Sequence, residues 1–207
     1  MQNQNSLKLS GILTYVFLAA AAITASYFVF ISISLYGPGL THDSAAYIYA
    51  AESLINGEGF EYFGYPSPFM QWPPLYPLLL ALAGRFGIAA TTASGFINAI
   101  AFGLIVLIAG AWLYKKLKNT FIAILTTIGL VFSLPLIQVS KYLWTETLFV
   151  LFTLLAFIKL GEFLNRGKNS QLAWAGVFSA LACLSRYMGV VLVLTAAIFL
   201  FFRKGKF

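Results

Sequence analysis

Long apolar runs separated by short polar breaks dominate the chain. Helix rises about 1.5 Å per residue, so crossing a hydrocarbon layer takes roughly 20 apolar residues. Runs of about that length fall at 12–36, 94–114, 120–138 and 145–164, and two shorter ones at 171–185 and 188–202. Gly37-Pro38-Gly39 closes the first run. The stretch 37–93 breaks the pattern. From residue 40 on it holds four of the six acidic residues, five of the seven prolines and several tyrosines, and it reads as a long polar-aromatic loop. Two short helices are expected in it. One covers Ser44 to Ile55 and stops at Asn56-Gly57; the other starts at Pro73-Pro74, where proline suits a first helical turn, and runs to about Ala83. The second is too short to span, and Arg85 follows it, so both are taken as interfacial helices of a single 1–207 module. The fold class is all-α polytopic membrane protein with about six transmembrane helices.

Composition agrees. Hydrophobic residues make up 60% of the chain and charged residues only 9%, against roughly 25% charged in soluble domains. The first apolar stretch is longer than the 7–15 residues of a cleaved signal, so it reads as a retained signal-anchor helix. Cys183, the single cysteine, lies inside an apolar run and offers no disulfide.

The net charge of +7 changes the picture through its placement. Basic residues gather at the ends of apolar runs, at Lys115, Lys116 and Lys118, at Arg166 and Lys168, and at Arg203, Lys204 and Lys206. These are membrane anchors, and no groove-reading motif supports nucleic-acid binding. With six spans and Lys8 inside, ten basic residues lie on the cytoplasmic side and three (Arg85, Lys141, Arg186) outside. Five acidic residues then lie outside and only Glu162 inside. Both termini are therefore expected in the cytoplasm, in accord with the positive-inside bias.

That topology collects Asp43, His42, Glu52, Lys141, Tyr142, Glu146, Arg186 and Tyr187 on the outer face. Asp43 begins the first loop helix and reads either as an N-cap or as a carboxylate held as general base. Glu146 opens the fourth span; the helix dipole alone accounts for an acid there, yet ionisable groups at a membrane edge are functional candidates. Arg186 interrupts the apolar stretch from 171 to 202, either as a plain turn residue or as a guanidinium for a phosphate, with Lys141 and Arg85 as assistants. His42, the only histidine, is far short of a metal signature. The loop aromatics Tyr62, Phe63, Tyr65, Phe69, Trp72 and Tyr76 read as an interfacial belt or a sugar-stacking platform.

A series of short motifs runs through the chain: His42-Asp43-Ser44-Ala45-Ala46-Tyr47, Ala50-Ala51-Glu52-Ser53-Leu54, Pro73-Pro74-Leu75-Tyr76-Pro77, Asn98, Thr145-Glu146 and Ser185-Arg186-Tyr187-Met188-Gly189. In order and spacing the series resembles the N-terminal part of GT-C-type integral-membrane glycosyltransferases, in the protein O-mannosyltransferase group that includes lipid A aminoarabinose transferases. The resemblance implies sugar transfer from a polyprenyl-phosphate carrier to a glycan, lipid or protein acceptor outside the cytoplasm, in a bacterial or archaeal plasma membrane. It implies Asp43 as base, Glu146 as a second active-site carboxylate and Arg186 as holder of the carrier phosphate. His42, Tyr47, Glu52, Arg85, Lys141, Tyr142 and Tyr187 complete the candidate substrate-binding set. No cofactor is required, and a divalent cation near Asp43 and Glu146 has no supporting ligand motif. Family members are typically longer, so the expectation includes a C-terminal half or partner subunit. The alternative is a non-catalytic lipid-binding or flippase-like subunit, or an inactive truncated relative. An ion channel or transporter is weaker, because no ionisable residue lies deep in a span.

Overall fold

A computed structural model describes residues 2–62 and 67–202, with side chains from Gly11 onward. Lys8's side chain, Phe63, Tyr65, Arg203, Lys204 and Lys206 lie outside the described residues. Among the described residues the chain is helical, with two isolated β-bridges and no sheet. In order come α1 (Gln2–Ile33), α2 (His42–Asn56), α3 (Leu75–Gly84), α4 (Ala90–Leu117), α5 (Thr120–Val131), α6 (Leu134–Ser140), α7 (Glu146–Arg166), α8 (Asn169–Ser185), a 3-10 turn at Tyr187–Gly189 and α9 (Val190–Phe202).

Gly11–Ile33 of α1, α4 and α7 are long and apolar enough to cross a membrane, and the bent α5–α6 pair reaches that length only when its two helices are counted together, as a broken span or a re-entrant loop. The chain is an integral membrane protein. The span expected at 120–138 is broken by a 47° bend between Val131 and Leu134. Pro135 is the cause: it sits in the first turn of α6, lacks a donor N–H and would clash with the carbonyl four residues back in a continuous helix. The count of six is not reached by length and composition. α8 has 17 residues and the Tyr187–Phe202 run is a short apolar helix, against the roughly 20 a perpendicular span needs. α8 nevertheless returns along α7. The turn at Gly167-Lys168 is too short for anything but antiparallel neighbours, and Arg186, just past the end of α8, meets Glu146 at the start of α7.

Close backbone approach holds α1 to α4. Gly103 faces Ser26 and Ala22, and a Cβ there would lie 2.9 Å from the Ala22 carbonyl oxygen. Ser26 Oγ donates across the interface to the Ala99 carbonyl at 2.9 Å. Small residues and interhelical hydroxyl bonds are how helices associate in lipid, where burial of apolar surface offers little net gain. Ala25, Val29, Phe102, Val106 and Val131 fill the adjoining core.

The outer loop has its own core. α2 and α3 lie side by side and parallel, since Tyr47 meets Tyr76 and the position of Gly84 abuts Ile55. α2 runs slightly longer than expected, α3 starts just after Pro73-Pro74 and ends one residue beyond Ala83, and Gly57 (φ 81°) closes α2 as Asn56-Gly57 predicts. Between them Tyr62 N–H donates to the Ser67 carbonyl and Phe69 N–H to the Phe60 carbonyl. These bonds set the described residues on either side next to each other, with Phe69 and Trp72 against Tyr47.

Candidate functional site

Two distant stretches are fastened together to make the site. Gly39 N–H donates to the Lys141 carbonyl (2.9 Å) and Leu143 N–H donates to the Gly39 carbonyl (3.0 Å), forming a parallel bridge between the end of the first span and the strip before α7. Only glycine fits there, because a Cβ at residue 39 would sit 2.5 Å from Tyr142 Cδ1. The buried Asn98 of α4 anchors the same strip, its Nδ2 donating to the Tyr142 carbonyl at 2.7 Å.

A chain of side-chain hydrogen bonds adds to this. Trp144 Nε1–H donates to Thr41 Oγ1 (2.8 Å). Indole nitrogen is donor only, so the Thr41 hydroxyl is free to donate to Ser44 Oγ at 3.2 Å. Ser44 also accepts from the Thr41 backbone N–H (3.0 Å) and donates to the Leu143 carbonyl (3.0 Å). Thr41, in extended conformation, is the N-cap of α2. This corrects the reading of Asp43 as the cap. Asp43 lies within the first turn, half-buried, where the helix dipole favours its charge while its carboxylate is left out of the capping bonds.

Asp43 and Tyr47, four residues apart, share one face of α2. Tyr47 is buried and its phenol lies beside Thr145, in the field of Asp43, Glu146 and Arg186. Burial pushes its ionisation well above the ordinary tyrosine range; the two carboxylates reinforce this, while Thr145 and Arg186 oppose it. Tyr47 therefore stays a neutral hydrogen-bonding phenol at any physiological pH. Across from it Arg186 Nη1 pairs with Glu146 Oε1, both side chains about one-third exposed. Extended backbone at Arg186 ends α8, and the Tyr187 hydroxyl donates to the Met70 carbonyl at 2.8 Å, joining this turn to the outer loop. Beneath lies a cavity of about 260 Å³ walled by Tyr47, Trp72, Thr145, Arg186, Tyr187 and Met188.

The structure thus gathers Tyr47, Arg186 and Tyr187 around one cavity, with Glu146 paired to Arg186 and Asp43 on the adjoining turn of α2. Exposed His42 stands 5.9 Å from Trp72, ring centre to ring centre. Lys141 and Tyr142 belong to the anchoring strip, with Tyr142 stacked on Trp144 at 4.5 Å. Two expected residues are elsewhere. Glu52 is nine positions from Asp43, half a turn round the helix, and lines a separate groove with Leu40, Ala45, Ile48 and Tyr49. Arg85 is exposed beyond the end of α3, about 15 Å of helix from Pro74. Among the described residues no three His, Cys, Asp or Glu side chains gather to hold a metal ion.

Sequence reading missed Thr145 as a cavity residue and left Trp72 among loop aromatics read as an interfacial belt or a sugar-stacking platform. Thr145 carried a signal, being the residue directly before a span-opening acid. Trp72 carried none beyond its type, because its place depends on its ring contacts with Tyr47 and Tyr62.

Comparison with known proteins gives one finding. A family model described as dolichyl-phosphate-mannose-protein mannosyltransferase matches residues 71–207, well over half of the chain. Curated proteins and solved structures gave no match. The matched segment carries Thr145, Glu146, Arg186 and Trp72, while Asp43 and Tyr47 precede it. The chain belongs to the dolichyl-phosphate-mannose-protein mannosyltransferase family, membrane glycosyltransferases of the GT-C type.

Proposed function

We propose that the chain transfers a sugar from a polyprenyl-phosphate donor to an acceptor hydroxyl at the non-cytoplasmic face of the membrane. The observation that carries this reading is the Arg186–Glu146 pair at the edge of a cavity, next to the turn that bears Asp43. Arg186 takes the donor phosphate, as a planar guanidinium suits, and stabilises the charge that develops on it as the bond to the sugar breaks. Glu146 keeps the guanidinium aimed until the phosphate arrives. Asp43 accepts the proton of the attacking hydroxyl. The oxygen bonds to the anomeric carbon, and polyprenyl phosphate departs paired with Arg186. An apolar groove of about 480 Å³ between α7, α8 and α9, lined by Ala156, Leu160, Ala175 and Leu200 among others, supports the carrier's tail. It begins ten residues, about 15 Å of helix, below Glu146.

The charge distribution of the sequence supports cytoplasmic termini and an outward site in a plasma membrane. The test uses the full chain reconstituted with polyprenyl-phosphate mannose and an acceptor. Asp43→Asn is expected to abolish transfer and retain binding of polyprenyl phosphate, while Arg186→Ala loses that binding. Normal turnover by Asp43→Asn, or undiminished binding by Arg186→Ala, would remove that residue from its role.

A further inference from the structure

The cavity beside Arg186 holds a buried threonine hydroxyl whose hydrogen-bonding capacity is not filled. Thr145 is 1% exposed, lines the cavity, and its Oγ1 has only the Tyr47 phenol beside it, with no well-formed hydrogen bond. Threonine directly before a helix usually turns its hydroxyl onto the free backbone N–H groups of the first turn, from an extended backbone. Here the backbone is helical (φ −89°, ψ −10°) and no side-chain cap forms. The hydroxyl is spared that duty. Buried side-chain oxygens left short of well-formed hydrogen bonds are few in folded proteins, and each calls for an explanation.

Its surroundings suggest one. The Tyr47 phenol, held neutral, stands beside Thr145 as a second hydroxyl. Trp72 supplies an aromatic wall, itself fixed by stacking on Tyr62 (centroids 6.0 Å, planes 13° apart) and by the edge of Tyr47 at 5.9 Å. Arg186 stands at the edge, and the Tyr187–Met70 bond ties its turn to the outer loop. At about 260 Å³ the space is just below the 300–1,000 Å³ typical of small-molecule pockets, which suits one monosaccharide ring. An aromatic wall with a few convergent polar groups is what such a ring needs: its C–H face meets the indole and its hydroxyls meet Thr145 and Tyr47.

We propose that this cavity is the subsite for the donor's sugar ring, and that Thr145 is a specificity-determining residue bonding one of its hydroxyls. The proposal rests on the reading that Arg186 takes the donor phosphate.

The experiment compares the full chain's binding of a short-chain polyprenyl phosphate with that of its mannosyl derivative. It uses wild type, Thr145→Val, Thr145→Ser, Tyr47→Phe and Arg186→Ala. Valine matches threonine in shape and removes only the hydroxyl. Thr145→Val is expected to bind the mannosyl compound about 10-fold more weakly, the scale of one buried hydroxyl left unpaired, while its affinity for the sugar-free phosphate is unchanged. Thr145→Ser should restore binding, and Tyr47→Phe should show the same selective loss even where the valine variant fails to fold. Equal affinities for the mannosyl compound in wild type, Thr145→Val and Tyr47→Phe, or equal losses for both ligands, would overturn the subsite and leave the Arg186 reading standing. Sugar-free phosphate binding that ignores Arg186→Ala would overturn both.

Discussion

Ser44 offers the sharpest test of how the site is held together, and it does not depend on any assumed substrate. Its side chain is fully buried and engages three groups: the Thr41 N–H, the Thr41 hydroxyl and the Leu143 carbonyl. Ser44→Ala removes one oxygen and leaves space too small to disturb packing elsewhere. A neutral hydrogen bond contributes about 0.5–1.5 kcal/mol net, and orphaning a buried partner costs about 1–3 kcal/mol. The Leu143 carbonyl loses this donor and the Thr41 N–H this acceptor, so the expected loss is about 2–4 kcal/mol. By the scaling of soluble domains of this size that corresponds to a fall in Tm of roughly 5–15 °C, read by thermal unfolding of detergent-purified protein. A double-mutant cycle with Trp144→Phe sharpens the assay. Trp144 and Ser44 act through the same Thr41 hydroxyl, so their effects should be non-additive by about 0.5 kcal/mol or more. A Tm within 1 °C of wild type, or strictly additive losses, would refute the claim that this chain of bonds fastens the loop to α7.

Four further outcomes are expected. Gly39→Ala drives a methyl into the Tyr142 ring and should cost about 1–3 kcal/mol, seen as a lower Tm; no change would mean the bridge is loose. Arg186→Lys keeps the charge but loses the planar fork, so polyprenyl-phosphate affinity should fall several-fold while the fold persists, as ligand titration will show. Glu52→Gln, in the groove on the far side of α2, should leave transfer activity unaltered, and a large loss would contradict its separation from the site. The raised ionisation of Tyr47 gives a signed pH effect. Above about pH 10 the unfolded phenol ionises while the folded one remains neutral, so stability falls as pH rises from there. Thermal unfolding between pH 8 and 11 should show a steeper decline in wild type than in Tyr47→Phe.

The sequence makes its long-period features legible and hides those that depend on tertiary closure. Apolar length and flanking lysines identify α1, α4 and α7, because lipid enforces length directly. Asn56-Gly57 and Pro73-Pro74 mark the loop helices, since backbone constraints act locally. Pro135 was equally visible, yet an apolar count passes over it and turns a bent pair into one helix. Asp43, Glu146 and Arg186 stand out as the rare charges at span ends. Charge alone also drew in Glu52 and Arg85; helical phase turns the first to the other face of α2, and the length of α3 puts the second at that helix's far end. The capping role went to the wrong residue because Thr41 and Asp43 are both good caps by type. Their backbone angles, and the bonds from Trp144 and Leu143 more than ninety residues away, decide between them.

The join between the first loop and the strip before α7 has a consequence for biogenesis. Thr41 waits for Trp144, a partner 103 residues later in the chain. At about 5–20 residues per second of synthesis, that partner follows some 5–20 s behind. Over that interval α1 is inserted and α2 has emerged with Ser44 and Thr41 unmated, and α4 has no strip for Asn98 to grip. The half-site bearing Asp43 therefore begins as an unlatched loop at the membrane surface. Arrival of α7 latches it, so a nascent chain halted before residue 141 should expose residues 40–62 to protease that the finished protein resists.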